Sequence, residues 1–273
     1  MAIWDHQAKS DSEAQKDRHR TRYPLWTVPF SILSAYLLWA AASRWSGLPD
    51  FILPEPGEVA RRLWLALQDG TLIRHTGTTL TEVLGGLSLG FVVATSLGYS
   101  LAKSKTVERV LSPYIVASQS IPVVAIAPLL VIWFGPGRIS KVMICALIVF
   151  FPILINTIVG VRSVPQDLYD LMRSLRATRW QIFTKLEVPA ALPVLLGGLK
   201  IGATLSVIGA VVGELVGADQ GLGFLINIGR GVYDTTLVYV AVITLVVLAM
   251  TLFTSVAALE WWFLRWREPQ ARR

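Results

Sequence analysis

The sequence holds one cysteine, Cys145, so no intrachain disulfide can form, and the residue lies inside an apolar run where a thiol behaves as a small buried hydrophobe. Histidine is nearly as scarce. His6, His19 and His75 stand far apart, two of them in a polar amino-terminal stretch, with no spacing that suits a metal ion. Neither a metal site nor a cofactor is expected. The chain also lacks any Gly-Lys dipeptide, and with it the Gly-x-x-x-x-Gly-Lys-Ser/Thr phosphate loop, so it cannot hydrolyse ATP alone by that route. Charge is sparse too. Only 16% of the 273 residues are Asp, Glu, Lys or Arg, against 53% hydrophobic residues and a mean hydropathy of +0.56. An ordinary soluble domain reaches roughly 45–50% apolar even with glycine counted, so the natural solvent of this chain is a bilayer.

What the sequence does contain is long apolar runs. Residues 24–42, 77–102, 107–135, 140–161, 189–217 and 235–264 each supply the roughly 20 apolar residues that a hydrocarbon core of about 30 Å demands. The expected fold is all-α, a polytopic membrane protein with about six transmembrane helices. It comprises a polar tail over residues 1–24, a transmembrane domain over 25–264 and a basic tail over 265–273. Ala40-Ala41-Ala42 could mimic a signal-peptide cleavage site, but the first run exceeds the apolar region of about 7–15 residues typical of such peptides, and it reads as a retained anchor. The third run begins amphipathically at Val107-Glu108-Arg109, and Pro122 and Pro128 are the places where it can break.

Six crossings put both termini on one side. Of the 25 Lys and Arg residues, 17 fall on that side and seven on the other, with Lys200 inside a span. Cytoplasmic loops carry the positive excess, so both termini are expected in the cytoplasm of a cell whose inner membrane holds the chain. The net charge of +7 is thereby explained by orientation. No basic face interleaved with aromatics points to nucleic acid.

Two loops are longer than a helical hairpin needs. On the outside, residues 58–67 read as a short amphipathic helix with Val59, Leu63, Ala66 and Leu67 on one stripe. On the inside, the loop over about 162–188 is basic and too polar to span. Within it, Val164 to Leu175 reads as a helix, with Pro165 and Asp167 suited to its positive end. Leu168, Leu171, Met172 and Leu175 form an apolar ridge flanked by Asp167, Asp170, Arg173 and Arg176. Two readings stay open from the residues alone. The ridge can rest on the membrane or on the chain's own spans, or it can seat in a groove of a cytoplasmic partner.

From Asp170 the chain runs Asp170-Leu171-Met172, three residues, Arg176, nine residues, then Leu186-Glu187-Val188-Pro189. This resembles the cytoplasmic signature of the permease subunits of binding-protein-dependent ABC importers: an acidic residue, two alanines, three residues, glycine, nine residues, Ile-x-Leu-Pro. The spacing agrees in full, whereas Leu171-Met172 replace the two alanines and Arg176 replaces the glycine. The usual bend after the helix therefore cannot rely on glycine's tolerance of positive φ. The resemblance implies a type I ABC importer permease architecture in which this loop is the coupling helix, seated in a groove of a separate ATP-binding cassette ATPase. Asp170, Leu171, Met172, Leu175 and Arg176 would then form the ATPase contact.

A second stretch, Ser120-Ile121-Pro122 through Pro128-Leu129 and Trp133-Phe134-Gly135, followed by Phe151-Pro152 and Asn156-Thr157, looks like the nitrate, sulfonate and taurine branch. Met172 to Trp180 looks closest to the members that carry thiamin pyrimidines and riboflavin. The resemblance covers about residues 50–262. It implies an extracytoplasmic solute-binding protein, a permease homodimer around the pathway, and no catalysis by this chain.

In the fifth span, Gly198, Gly202, Ser206, Gly209 and Gly213 recur in the small-residue pattern that lets helices approach closely in lipid. Lys200 and Glu214 share that span but stand about 21 Å apart along the axis, so each needs its own partner. Gln119, Asn156 and Glu214 are the candidates for the translocation pathway or a gate; for Glu214, gate lining and structural hydrogen bonding are both open. Two rivals remain. An ion-coupled secondary transporter predicts buried acid pairs or broken helices in related halves, and a membrane-embedded or quinone-linked enzyme predicts clustered His or Cys in the spans.

Overall fold

The computed structural model describes residues 27–49 and 51–265, and every regular element among them is helical. The polar tail over 1–24, the first residues of the first apolar run and nearly all of the basic tail lie outside the described residues. The chain divides into two compact units, Met1–Gly57 and Glu58–Arg273. In the first, α1 (Thr27–Trp45) covers most of the first apolar run. Its last turn carries Arg44, a cation placed against the negative end of the helix, whose Nε also donates to Glu55 Oε1 at 3.4 Å.

The other helices are α2 (Pro56–Gln68), α3 (Thr71–Lys103), α4 (Lys105–Gln119), α5 (Val123–Phe134), α6 (Arg138–Arg162), α7 (Gln166–Ser174), α8 (Arg179–Ile182), α9 (Val188–Gly217), α10 (Leu222–Gly231) and α11 (Thr235–Leu264). Among the described residues, four helical stretches are long and apolar enough to cross a membrane: α3, α6, Arg179–Gly217 and α11. A fifth is the pair α4–α5, if its two arms, which meet at a bend of 96°, count as one span. With α1 these are the six runs of the sequence. The amphipathic stripe near residue 60 becomes α2.

The bend lies at the first of the two expected prolines. Pro122 is extended at ψ 120°, the residue before a proline avoids the helical region, and α5 restarts one residue later. Pro128 stays inside α5. Ala127 and Leu130 then fasten α5 to Ile144 of α6.

Packing centres on α6, which lies between α3 and α9. Lipid tails are as apolar as leucine, so helices in a bilayer gain from close approach of backbones rather than from escaping water. The contact at Cys145 shows how close. A methyl group at Gly86 of α3 would collide with the Cys145 side chain, and one at Gly209 of α9 would lie 2.8 Å from Cys145 Cα. The lone thiol is thus walled in on both sides, and its Sγ donates to the Ser206 carbonyl at 3.3 Å. Gly90 and Gly98 of α3 and Gly198 and Gly213 of α9 make further close approaches to α6. The small-residue stripe of the fifth span is therefore a packing face.

The polar loop leads into α9 without a break. Thr178 closes a capping box, accepting from Gln181 N at 3.3 Å while its own N–H donates to Gln181 Oε1 at 2.8 Å. The helix then widens into a π-helical turn at Phe183–Glu187, just before Pro189, which has no N–H to continue the normal ladder.

The close approach at α6 and α9 is directly testable. Gly209→Ala forces the two backbones apart and should cost about 1–3 kcal/mol, read as a lowered thermal midpoint in detergent. Gly197→Ala, where a methyl group meets nothing within 4 Å, should leave that midpoint unchanged or slightly raised.

Candidate coupling surface and buried polar networks

The helix expected over residues 164–175 is observed as Gln166–Ser174, with Pro165 before it and Leu175 as its carboxyl cap. Asp167 lies in its first turn and Arg173 in its last, each favourable against the helix dipole. The ridge is outward. Leu168, Leu171 and Leu175 are 40%, 54% and 70% exposed, Met172 is half-buried, and Asp170 is exposed at 3.2 Å from Arg173. Asp170, Leu171, Met172, Leu175 and Arg176 are therefore brought together on one short helix and the turn that ends it.

Arg176 adopts φ +55°, the left-handed conformation expected of the glycine it replaces. Its N–H donates to the Arg173 carbonyl and the Ala177 N–H to the Met172 carbonyl, each at 2.9 Å. These are the two bonds of a Schellman ending, which satisfies carbonyls that the helix leaves open. The bend survives without glycine, at a steric cost of about 1–2 kcal/mol.

Beneath α7 lies a polar hub. Glu187, on the π-helical turn, is buried and pairs with Lys103 at the end of α3, while Tyr99 Oη donates to Glu187 Oε2 at 2.8 Å. The Lys103 ammonium also sits 5.0 Å from the ring centre of Tyr169 on α7. Burial, and then the Glu187 carboxylate, push the Tyr169 phenol above its ordinary pKa, so it stays neutral. A largely apolar recess of about 540 Å3 adjoins the hub, with Thr95, Tyr99, Thr157, Phe183 and Glu187 among its walls. Sequence reasoning placed Glu187 inside a motif but gave it no role; a lone acid facing a basic loop was the available signal.

At the opposite end of the bundle, three side chains receive the amino terminus of α10. The Gly221 N–H donates to His75 Nδ1 at 2.9 Å, the Leu222 N–H to Thr79 Oγ1 at 2.9 Å, and the Gly223 N–H to Glu214 Oε2. Thr79 in turn donates to Glu214 Oε1 at 2.7 Å. Backbone donors that a helix start leaves unpaired are thus met by α3 and α9. Gly221 has φ +119°, and a side chain there would collide with the Glu214 carboxylate. Lys141 of α6, also buried, donates to the Pro136 carbonyl and, at 2.6 Å, to that of Gly217 at the carboxyl end of α9.

Glu214 is thus fully buried and bound to the start of α10, with Glu82 close beside it. Asn156 is half-buried, faces Gly198 of α9, and donates to the Pro152 carbonyl at 2.8 Å. Gln119 is exposed at the bend between α4 and α5. The three pathway candidates are not brought together. Lys200 finds its partner in Glu260 of α11. The acceptor roles of His75 and Thr79 were missed; their spacing of four on one helix face, opposite a Gly-Leu-Gly sequence, was the only hint.

The strained turn yields a prediction. Arg176→Gly relieves the left-handed arginine and should raise the thermal midpoint, whereas Arg176→Val, branched at Cβ, should lower it; equal midpoints would contradict the turn geometry.

Residues 86–265 match the family model described as the binding-protein-dependent transport system inner membrane component. The riboflavin transport system permease protein RibX of Chloroflexus aurantiacus is 47% identical over 90% of this chain and 92% of its own length. The formylaminopyrimidine transport permease protein ThiX of Halalkalibacterium halodurans is 36% identical over 87% and 94%, and the taurine transport system permease protein TauC of Escherichia coli 30% identical over 89% and 92%. Among solved structures, a chain of the inward-facing MetNI methionine ABC transporter matches with a TM-score of 0.63 at 22% identity, covering 71% of this chain and 96% of that one. That likeness gives the fold as the type I importer permease. On the match over most of its length and the identity to these permeases, the chain belongs to the family of binding-protein-dependent transport system inner membrane components.

Proposed function

We propose that this chain carries a flavin or pyrimidine vitamin precursor across the inner membrane, as one of two identical permeases bound to two copies of a separate ATPase. The solute class is supported by the 47% identity to a riboflavin permease and the 36% identity to a formylaminopyrimidine permease. Sulfonates and taurine stand behind it, on relatives nearer 30% identity. The observation that most supports ATPase coupling is the outward ridge of α7, whose Leu171 and Leu175 are the kind of side chains a groove on a partner would cover.

In this reading Asp170, Leu171, Met172, Leu175 and Arg176 make the contact. When ATP draws the two ATPase subunits together, α7 moves with them, and the Lys103–Glu187 tie passes the displacement to α3 and α9. The spans then open toward a loaded binding protein outside, and hydrolysis returns them inward. Differential contact in the two states carries the coupling free energy. Gln119, Asn156 and Glu214 are retained as pathway or gate candidates. Of these, Gln119, exposed at the bend, is the one with room to meet solute. Both termini lie in the cytoplasm on the distribution of Lys and Arg.

An ion-coupled transporter is not favoured. The buried acids Glu82 and Glu214 resemble the pairs such a transporter needs, but Glu214 is already held by Thr79 and the α10 amino terminus.

The test is Asp170→Lys in the full complex. It reverses a charge on the ridge and should abolish recovery of a phosphate-loop ATPase with the tagged chain, and uptake of labelled riboflavin, while membrane insertion is unchanged. Normal uptake by Asp170→Lys would overturn the coupling assignment. Wild-type uptake of taurine but not of riboflavin or formylaminopyrimidine would overturn the solute class and leave the coupling assignment standing.

A further inference from the structure

At the α7 end of the bundle, the carboxyl ends of α3 and α6 and the first turns of α4 enclose a recess of about 590 Å3, lined by Ala102, Lys103, Glu108, Arg109 and Arg162. Its charges do not cancel. Arg162 grips Glu108 at two points, 2.9 and 2.6 Å, and donates to the Leu101 carbonyl at 3.2 Å. Lys103 is paired with Glu187. Arg109 is exposed and, among the described residues, has no ion-pair partner. Among the described side chains that line the recess, Arg109 is left as an unpaired positive charge at the rim.

An apolar stripe leads away from that rim along α4. Val110 and Tyr114 are 59% and 71% exposed, and a spacing of four puts them on one face. Ser112 and Gln119 fall on the other flank. Lys103 and Arg162 are the terminal residues of two membrane-crossing helices, so the recess lies where hydrocarbon gives way to head groups. A ligand that fits must bring one negative charge to Arg109 and apolar chains to Val110 and Tyr114.

We propose that this recess binds an anionic phospholipid, with the phosphodiester on Arg109 and the acyl chains along the Val110–Tyr114 stripe. The site does not depend on which solute is carried. Because it shares Lys103 with the hub beneath α7, an occupied recess places a lipid phosphate beside the residue that ties α3 to Glu187. Inorganic phosphate offers the same head-group chemistry without the chains, and the experiment separates the two.

The full chain, purified and stripped of lipid in detergent, is given equal amounts of phosphatidylglycerol and phosphatidylcholine, purified again, and its retained phospholipid measured. The wild type should keep phosphatidylglycerol in preference. Arg109→Gln should reduce that retention about fivefold, and Arg109→Lys should restore most of it, since a phosphodiester accepts a point charge. Val110→Asp, which leaves the cations in place, should also reduce retention. Arg230→Gln, at an exposed arginine on the opposite end, should not. Equal retention of the two lipids, or unchanged retention in both Arg109→Gln and Val110→Asp, overturns the proposal. Displacement of bound phosphatidylglycerol by excess inorganic phosphate alone also overturns it, by making the recess a free-anion site.

Discussion

Backbone proximity between α6 and its two neighbours is the constraint from which the rest of this molecule follows. Hydrocarbon gives helices little reason to associate, so affinity must come from shape, and here it comes from glycine faces pressed against α6 from both sides. The chemistry at either end is then arranged around a block that cannot easily slide. At one end, Arg162–Glu108 and Lys103–Glu187 fasten the loops to the block. At the other, Lys141 and Glu214 fasten the carboxyl end of α9 and the start of α10. Arg162, Lys141 and Glu214 each bind backbone groups that a helix end leaves open, while Lys103 and Glu187 satisfy one another. Isolated in the apolar interior, the same side chains would be costly.

That arrangement connects α7 to the far side of the membrane. Glu187 stands immediately before α9, a helix of 30 residues and so about 45 Å long. Tyr169 of α7 packs on Lys103, Lys103 pairs with Glu187, and an uninterrupted helix joins Glu187 to Glu214 and α10, so in the proposed coupling a push on α7 would travel along that helix. No separate relay of side chains is needed, because the rod is the relay. The π-helical turn at Phe183–Glu187 is the one irregular joint along it, and the buried acid of that turn holds it to α3.

The spans, a break at Pro122 or Pro128 and the apolar ridge of α7 were legible in the sequence, because each depends on local pattern: apolar length, a missing N–H, a spacing of three and four; which proline breaks the run, and which way the ridge faces, were not. The Schellman turn was half legible. The motif spacing pointed to a bend at residue 176, but arginine argued against the conformation it nevertheless adopts. Local preference of about 1–2 kcal/mol was outweighed by two backbone bonds and the route the chain must take to Thr178. Least legible was the capping of α10. His75, Thr79 and Glu214 are separated by up to 139 positions, and nothing in a linear reading says that an acid in one span and a histidine in another meet the same helix start. Long-range polar contacts have no period to detect. For the same reason Glu214 could be left as either a gate or a structural acid, and Lys200 could not be given its partner on α11.

The packing also indicates where movement is cheapest. Opening a passage requires that some helices separate, and the cost rises with the close contacts broken. Parting α3 or α9 from α6 would expose glycine faces that nothing else fits. The pair α4–α5 is different: α5 contributes Ala127 and Leu130 to a small core, most of α4 is exposed, and the bend between them lacks a continuous hydrogen-bond ladder. A change in that bend disturbs few buried contacts among the described residues, and the ion pair Arg162–Glu108 sits at the foot of α4, where it can act as a pivot. The close-packed trio and the bent pair thus differ in how much packing a change of angle would break, and Gln119 lies at the end of α4 farthest from the Arg162–Glu108 pair.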